Sequence, residues 1–107
     1  MAITNYEINT YRVYQYNEDN TYGQTAVINC YMGNTYKGSL YFYKNSASIP
    51  ASTKTGSGYL YLRFREGRFS EMVTTLREEK PLYIGFNDHN LWGWLSTSSE
   101  PIGEEES

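Results

Sequence analysis

The sequence predicts a single α+β domain: a mostly antiparallel sheet of about six strands with one helix, at about residues 69–79, packed on one face. Two observations carry this prediction. The segments YKGSLYFYK (36–44) and GYLYLRFR (58–65) both alternate apolar side chains with tyrosines and cations, as strands with one exposed face do. The segment RFSEMVTTLREEK follows, and its apolar residues recur at helical spacing, namely Phe69, Met72, Val73 and Leu76.

The two alternating strands predict one apolar sheet face and one face of tyrosines and cations. If the strands are neighbours, Leu40 and Phe42 of the first share a side with the apolar residues of the second, and the helix can cover that side. The other side is the candidate binding site. We call its predicted members the tyrosine–cation face: Lys37, Tyr41, Tyr43, Tyr59, Tyr61, Arg63 and Arg65.

The remaining strands are predicted from β-branched and aromatic runs bounded by turn formers. In the first run the apolar parity slips between Ile8 and Val13, which predicts a bulge or bend near Thr10. Gly33-Asn34 predicts a tight hairpin turn, and the Ser/Thr-rich stretch 45–58 predicts a long loop. The predicted strands outside the two central ones are residues 3–16, 24–32, 82–86 and 91–96.

Charge is distributed unevenly along the 107 residues. The whole chain has a net charge of −3, but residues 36–68 hold six cations against one acid, a net charge of +5. We predict one domain at residues 1–97 and a disordered acidic tail at residues 98–107. The tail could compete with nucleic acid for the basic face or recruit basic partners; the alternative is that it only confers solubility.

The sequence has no features that indicate a membrane protein, a secreted protein or an enzyme. No apolar run approaches the ~20 residues of a membrane span, and no signal-peptide pattern follows Met1, so a cytoplasmic protein without membrane contact is expected. The single Cys30 falls on an apolar strand face, and His89 beside Asp88 lacks a third metal ligand. With no phosphate-loop, zinc or catalytic-triad motif, we expect no enzyme, no catalytic residues, no cofactor and no metal.

The order of elements resembles the fold of the plant Whirly proteins and the transcriptional positive cofactors. The Whirly motif KGKAAL opens a strand, and here Lys37, Gly38, Ser39 and Leu40 read KGSL. A loop with a proline, an aliphatic-aromatic strand, a helix and a further strand follow, so the resemblance covers about residues 24–90. Ser39 stands where the family has a second lysine, and the family is larger with a doubled strand set. The C-terminal part also looks like small uncharacterised bacterial proteins.

The resemblance implies binding of single-stranded DNA, and the residues themselves suggest a related hypothesis. Tyrosine rings on the tyrosine–cation face could stack on bases of single-stranded DNA or RNA while its cations contact phosphates. The alternative is a contact with a protein partner, since exposed aromatic patches mark interfaces. Many tyrosines on an uncovered face predict a homo-oligomer, most simply a two-fold dimer. Trp92 and Trp94 are expected either to close the core or to anchor a partner.

Overall fold

Two sheets packed against each other make up the fold in the computed structural model, which describes residues 2–17 and 21–98. The chain is α+β, with one helix and eight strands among these residues. The five-stranded sheet has the order β2-β3-β4-β6-β5, and the three-stranded sheet has the order β1-β7-β8. The strands are β1 (Ile3–Ile8), β2 (Thr10–Gln15), β3 (Gln24–Met32), β4 (Thr35–Tyr43), β5 (Thr53–Lys54), β6 (Leu60–Arg65), β7 (Leu82–Asn87) and β8 (Trp92–Thr97); a 3₁₀ turn (Glu66–Arg68) precedes the helix α1 (Phe69–Glu78).

The first predicted strand is divided at Asn9 between the two sheets. Strand β1 pairs with β7 and β2 pairs with β3, so the bend expected near Thr10 is a change of sheet. The Asn9 side-chain oxygen accepts hydrogen bonds from the Gly33 backbone N–H at 2.7 Å and the Thr10 hydroxyl at 3.1 Å. The bond from Gly33 holds the bend against the β3–β4 turn. The parity slip arises because each half faces the shared core from a different sheet.

Strands β3 and β4 form the predicted hairpin. Met32 pairs with Thr35 across the Gly33-Asn34 turn, and Gly33 has a φ of 62°, which glycine adopts without a steric penalty. The register shifts further along the pair. Cys30 is opposite Gly38 but Tyr31 is opposite Tyr36, so Lys37 is left as the extra residue of a β-bulge.

The prediction of a mostly antiparallel single sheet is imprecise. Strands β4 and β6 are neighbours, as expected, but they run parallel, with Leu40 opposite Leu62 and Phe42 opposite Phe64. The connection between them is long enough for a parallel return and carries the short strand β5, which pairs antiparallel with β6. The five-stranded sheet is therefore mixed.

The apolar faces of both sheets meet in one core. Leu40, Phe42, Leu60 and Leu62 are fully buried, and β7 adds Ile84 from the opposite sheet. Of the predicted helical stripe, Leu76 is buried and the other members pack half-buried against the core, with the Phe69 ring edge-on to Phe42 at 5.2 Å. The helix thus covers the apolar face, as predicted, but it does so together with a three-stranded sheet that was not part of the prediction.

Two further predictions concern membrane contact and the acidic tail. Within the described residues no helix is both long and apolar enough to cross a membrane. The predicted acidic tail lies outside the described residues from position 99 onward.

Candidate functional site

The outer face of the five-stranded sheet, turned away from the core, brings three predicted site residues together. The parallel register sets Tyr41 beside Arg63 and Ser39 beside Tyr61. The rings of Tyr41 and Tyr61 meet edge to face with centroids 5.6 Å apart, and the Arg63 guanidinium carbon lies 5.9 Å from the Tyr41 centroid. Two aromatic rings and one cation therefore form a single cluster on adjacent strands.

Arg63 is held in place by Ala51 of the loop before β5, by Thr53 of β5 and by Tyr43 of β4. Its Nη1 donates hydrogen bonds to the Ala51 carbonyl at 2.5 Å and the Thr53 hydroxyl at 3.3 Å, and its Nε donates to the Tyr43 hydroxyl at 3.3 Å. All three acceptors are uncharged, so the guanidinium is oriented while its charge is not cancelled. Nη2 makes no hydrogen bond to a residue in the described part of the chain, which leaves it for an anionic ligand.

Arg65 has a different position and a different role. It is exposed, and its Nη1 donates to the carbonyls of Asn45 at 3.1 Å and Ala47 at 2.6 Å, with a longer contact to Lys44 at 3.4 Å. These hydrogen bonds hold the start of the loop that follows β4 in place. Arg65 therefore stabilises the border of the outer face and adds positive charge there.

Lys37 does not lie on the outer face, because the bulge turns it away. Its ammonium is 5.2 Å from the ring centroid of Tyr6 in the three-stranded sheet. Tyr36 lies on the outer face in its place, and its ring centroid is 5.7 Å from that of Tyr31 and 4.9 Å from that of Tyr59. The prediction assumed that side chains alternate without interruption along the whole strand. Gly38 inside the strand was the signal that could have indicated a bulge.

The Tyr43 side chain is buried, with 2% of its surface exposed, so it cannot offer its ring for stacking in this conformation. Its hydroxyl accepts hydrogen bonds from Arg63 and, at 3.1 Å, from the Gln24 amide. Tyr43 therefore positions Arg63. Tyr59 is 38% exposed, and Tyr41 and Tyr61 are half-buried with part of each side chain accessible.

A chain of hydrogen bonds lies beside the cluster. The Ser39 hydroxyl, almost fully buried, donates to the Asn29 side-chain oxygen at 2.7 Å and is bonded to the Tyr36 hydroxyl. Burial raises the pKa of Tyr36 to about 12 and also raises the pKa of Tyr41. Both phenols are therefore neutral at physiological pH and place no negative charge on the face.

A groove of about 460 Å³ runs over the cluster. Tyr22, which is 74% exposed, and Pro50 contribute to its lining from the loops. The strands β2 to β6 contain no aspartate or glutamate, whereas they carry five cations. The described residues that line the groove are Tyr22, Gln24, Tyr41, Tyr43, Pro50, Tyr61 and Arg63.

The tryptophans lie on the outer side of the three-stranded sheet and do not close the core. Trp94 lies against Gly85 of the neighbouring strand, where a methyl group would overlap the indole, and its Nε1 donates to the Asn5 side chain at 3.3 Å. Trp92 has no such cover and is 70% exposed.

The groups considered for catalysis or metal binding are placed as follows. Cys30 is fully buried, and burial raises its pKa to about 12, so the thiol is not an activated nucleophile. His89 is exposed in the β7–β8 turn, and the Asp88 carboxylate accepts a hydrogen bond from the Ala2 backbone at 2.7 Å. Nowhere in the described ranges do three or more potential ligands gather to hold a metal ion.

Comparison of the chain with protein-family models, curated proteins and solved structures found no match. The resemblance to the Whirly proteins therefore stays a prediction from the sequence.

Proposed function

We propose that this protein is a non-enzymatic binding protein that holds single-stranded nucleic acid on the outer face of its five-stranded sheet. The observation that carries the proposal is the groove in which Tyr41 and Tyr61 flank an oriented Arg63, with no acidic residue in its described lining. Single strands bind to proteins where bases stack on aromatic rings and cations contact the phosphates.

The chemistry of the groove supports this ligand class in two ways. Arg63 is pre-oriented by neutral acceptors, so little side-chain entropy is lost when its remaining donors contact a phosphate. The tyrosines around it offer ring surface for bases without a fixed hydrogen-bonding pattern, which predicts binding with little sequence preference. The chain's net charge of −3 counts against a polyanionic ligand, and the charge of +5 over residues 36–68 offsets it only in part. Of those six cations, Arg63 lines the groove and Arg65 lies at the border of the outer face, whereas Lys37 is turned away.

The first test is fluorescence anisotropy of a labelled oligothymidylate at about 20 mM and about 200 mM NaCl. We expect binding that weakens with salt. Tyr61→Ala should lower affinity about tenfold with the salt dependence unchanged, because it removes a stacking ring. Arg63→Gln should lower affinity and reduce the slope of log K against log salt by about 1, because one phosphate contact is lost.

Arg77→Gln is the matched control for charge. It removes the same single charge from the exposed helix surface, away from the groove, and should leave the salt slope unchanged. Circular dichroism of each variant checks that the fold is intact. Absence of binding by the wild-type protein at low salt would exclude a nucleic-acid ligand, and the same groove would then be tested against a protein partner, the alternative that its exposed tyrosines also favour.

We also propose that the protein forms a homodimer. The exposed Trp92 and Tyr22 and the partly exposed tyrosines of the outer face are side chains that enrich protein interfaces. The same side chains would contact a single strand, so we expect the dimer and the bound strand to compete. Light scattering at high protein concentration should give twice the mass of the 12.4 kDa chain. A monomeric mass across the whole concentration range contradicts the dimer. The cytoplasmic location remains a prediction from the sequence.

A further inference from the structure

A second depression adjoins the groove. It has a volume of about 390 Å³ and lies between the loop at residues 50–52 and the start of β8, at the edge of the three-stranded sheet. Pro50 and Arg63 line both depressions, so the two adjoin at these side chains. Leu91 and Trp92 also line the second depression. Arg63 is therefore shared between a depression that contains Tyr41 and Tyr61 and one that contains the exposed Trp92 indole, and we call this succession the path.

Trp92 is held at the end of this path by an ordered turn. Its backbone N–H donates to the Asn90 side-chain oxygen at 3.1 Å, and the Leu91 N–H donates to the Asn87 carbonyl at 2.8 Å. Leu91 adopts a φ of 62°, a conformation that costs energy for a residue with a branched side chain. The backbone is thus fixed while the Trp92 side chain stays exposed, in contrast to Trp94, which is packed over Gly85.

We propose that a bound single strand continues past Arg63 into the second depression, where a further base stacks on the Trp92 indole. The inference rests on the proposed function and extends it by one binding subsite on the other sheet. Arg63 lies at the junction and contacts the phosphate between the two sets of bases. Tryptophan supplies a large ring for stacking, and base–aromatic stacking depends little on the base.

Charge favours this ligand along the whole path. Among the described residues, neither depression is lined by an aspartate or glutamate, and the cation that they share is Arg63. A polyanion therefore meets no acidic side chain in the described lining of either depression; the nearest acid in the chain to Trp92 is Asp88 of the same turn, whose carboxylate accepts a hydrogen bond from the Ala2 backbone. The path passes from one sheet to the other, which favours a flexible single strand over a rigid duplex.

The test compares two ligand lengths on the intact protein. A trithymidylate has enough bases to fill the tyrosine cluster and few to spare, whereas an oligothymidylate of about 12 nucleotides can occupy both depressions. Trp92→Ala should weaken binding of the longer strand about tenfold and change binding of the trithymidylate less than about twofold. The longer strand should quench tryptophan fluorescence in the wild-type protein and quench it much less in Trp92→Ala.

Tyr16→Ala is the matched control, because Tyr16 is 42% exposed and lines neither depression. It should leave both affinities unchanged. If Trp92→Ala leaves the longer strand unaffected, or weakens both lengths equally, the extended path is wrong, while a loss of binding in Tyr61→Ala still supports the proposed function. If the wild-type protein binds neither length, the proposed function fails and the extension fails with it.

Discussion

Leu62→Asp is expected to unfold the domain. Leu62 is fully buried at the centre of the core, paired with Leu40 across the parallel strands and packed against Gly93 of the opposite sheet. Loss of the leucine side chain from such a site costs about 2–5 kcal/mol. The carboxylate that replaces it must be ionised in apolar surroundings or be protonated at a raised pKa, which adds a further cost. The sum approaches the whole stability of an ordinary domain, about 5–15 kcal/mol.

Urea unfolding followed by circular dichroism measures this effect. Leu91→Asp provides the control, because it makes the same chemical change at an exposed position where the backbone has a positive φ that aspartate tolerates better than leucine. The free energy of unfolding of Leu91→Asp should stay within about 0.5 kcal/mol of wild type. A cooperative transition of Leu62→Asp at the wild-type urea midpoint would show that the two sheets do not enclose this residue.

Gly38→Ala is expected to have the second largest effect. A methyl group on Gly38 would overlap the backbone carbonyl of Leu60 in the neighbouring parallel strand and would come within 3.1 Å of the Ile84 side chain. A backbone atom cannot turn aside as the end of a side chain can, so β4 and β6 must separate or the bulge must rearrange. Overpacking of this kind typically costs about 1–3 kcal/mol.

The same substitution should also weaken the candidate site, because Tyr41 lies on one of these strands and Tyr61 on the other. Gly67→Ala is the control for the loss of glycine flexibility, since a methyl group there meets no atom within 4 Å. It should leave stability unchanged or raise it slightly. Equal urea midpoints for the two variants would contradict the close approach of the strands at Gly38.

The candidate site could be predicted only in part. The sequence identified Tyr41, Tyr61 and Arg63, because side chains alternate between the two faces along a strand whichever strands it pairs with. The sequence placed Lys37 on the wrong face, because one bulged residue moves the side chains before it in the strand to the opposite face of the sheet. It also missed Tyr22, which lies in a loop, and did not predict that Tyr43 would be buried with its hydroxyl bonded to Arg63 and Gln24 of the neighbouring strands.

The sequence by itself determined the local elements: the alternating strands, the Gly33-Asn34 hairpin, the helix that begins at Phe69, and the apolar set that became the core. These follow from periodicity and turn chemistry, which involve residues near one another in the chain. The tertiary structure alone decided that β4 and β6 run parallel, that the chain changes sheet at Asn9, and that β1, β7 and β8 form a second sheet over the core. Those choices depend on contacts between segments far apart in the sequence, where the same alternating pattern satisfies either strand direction and either sheet.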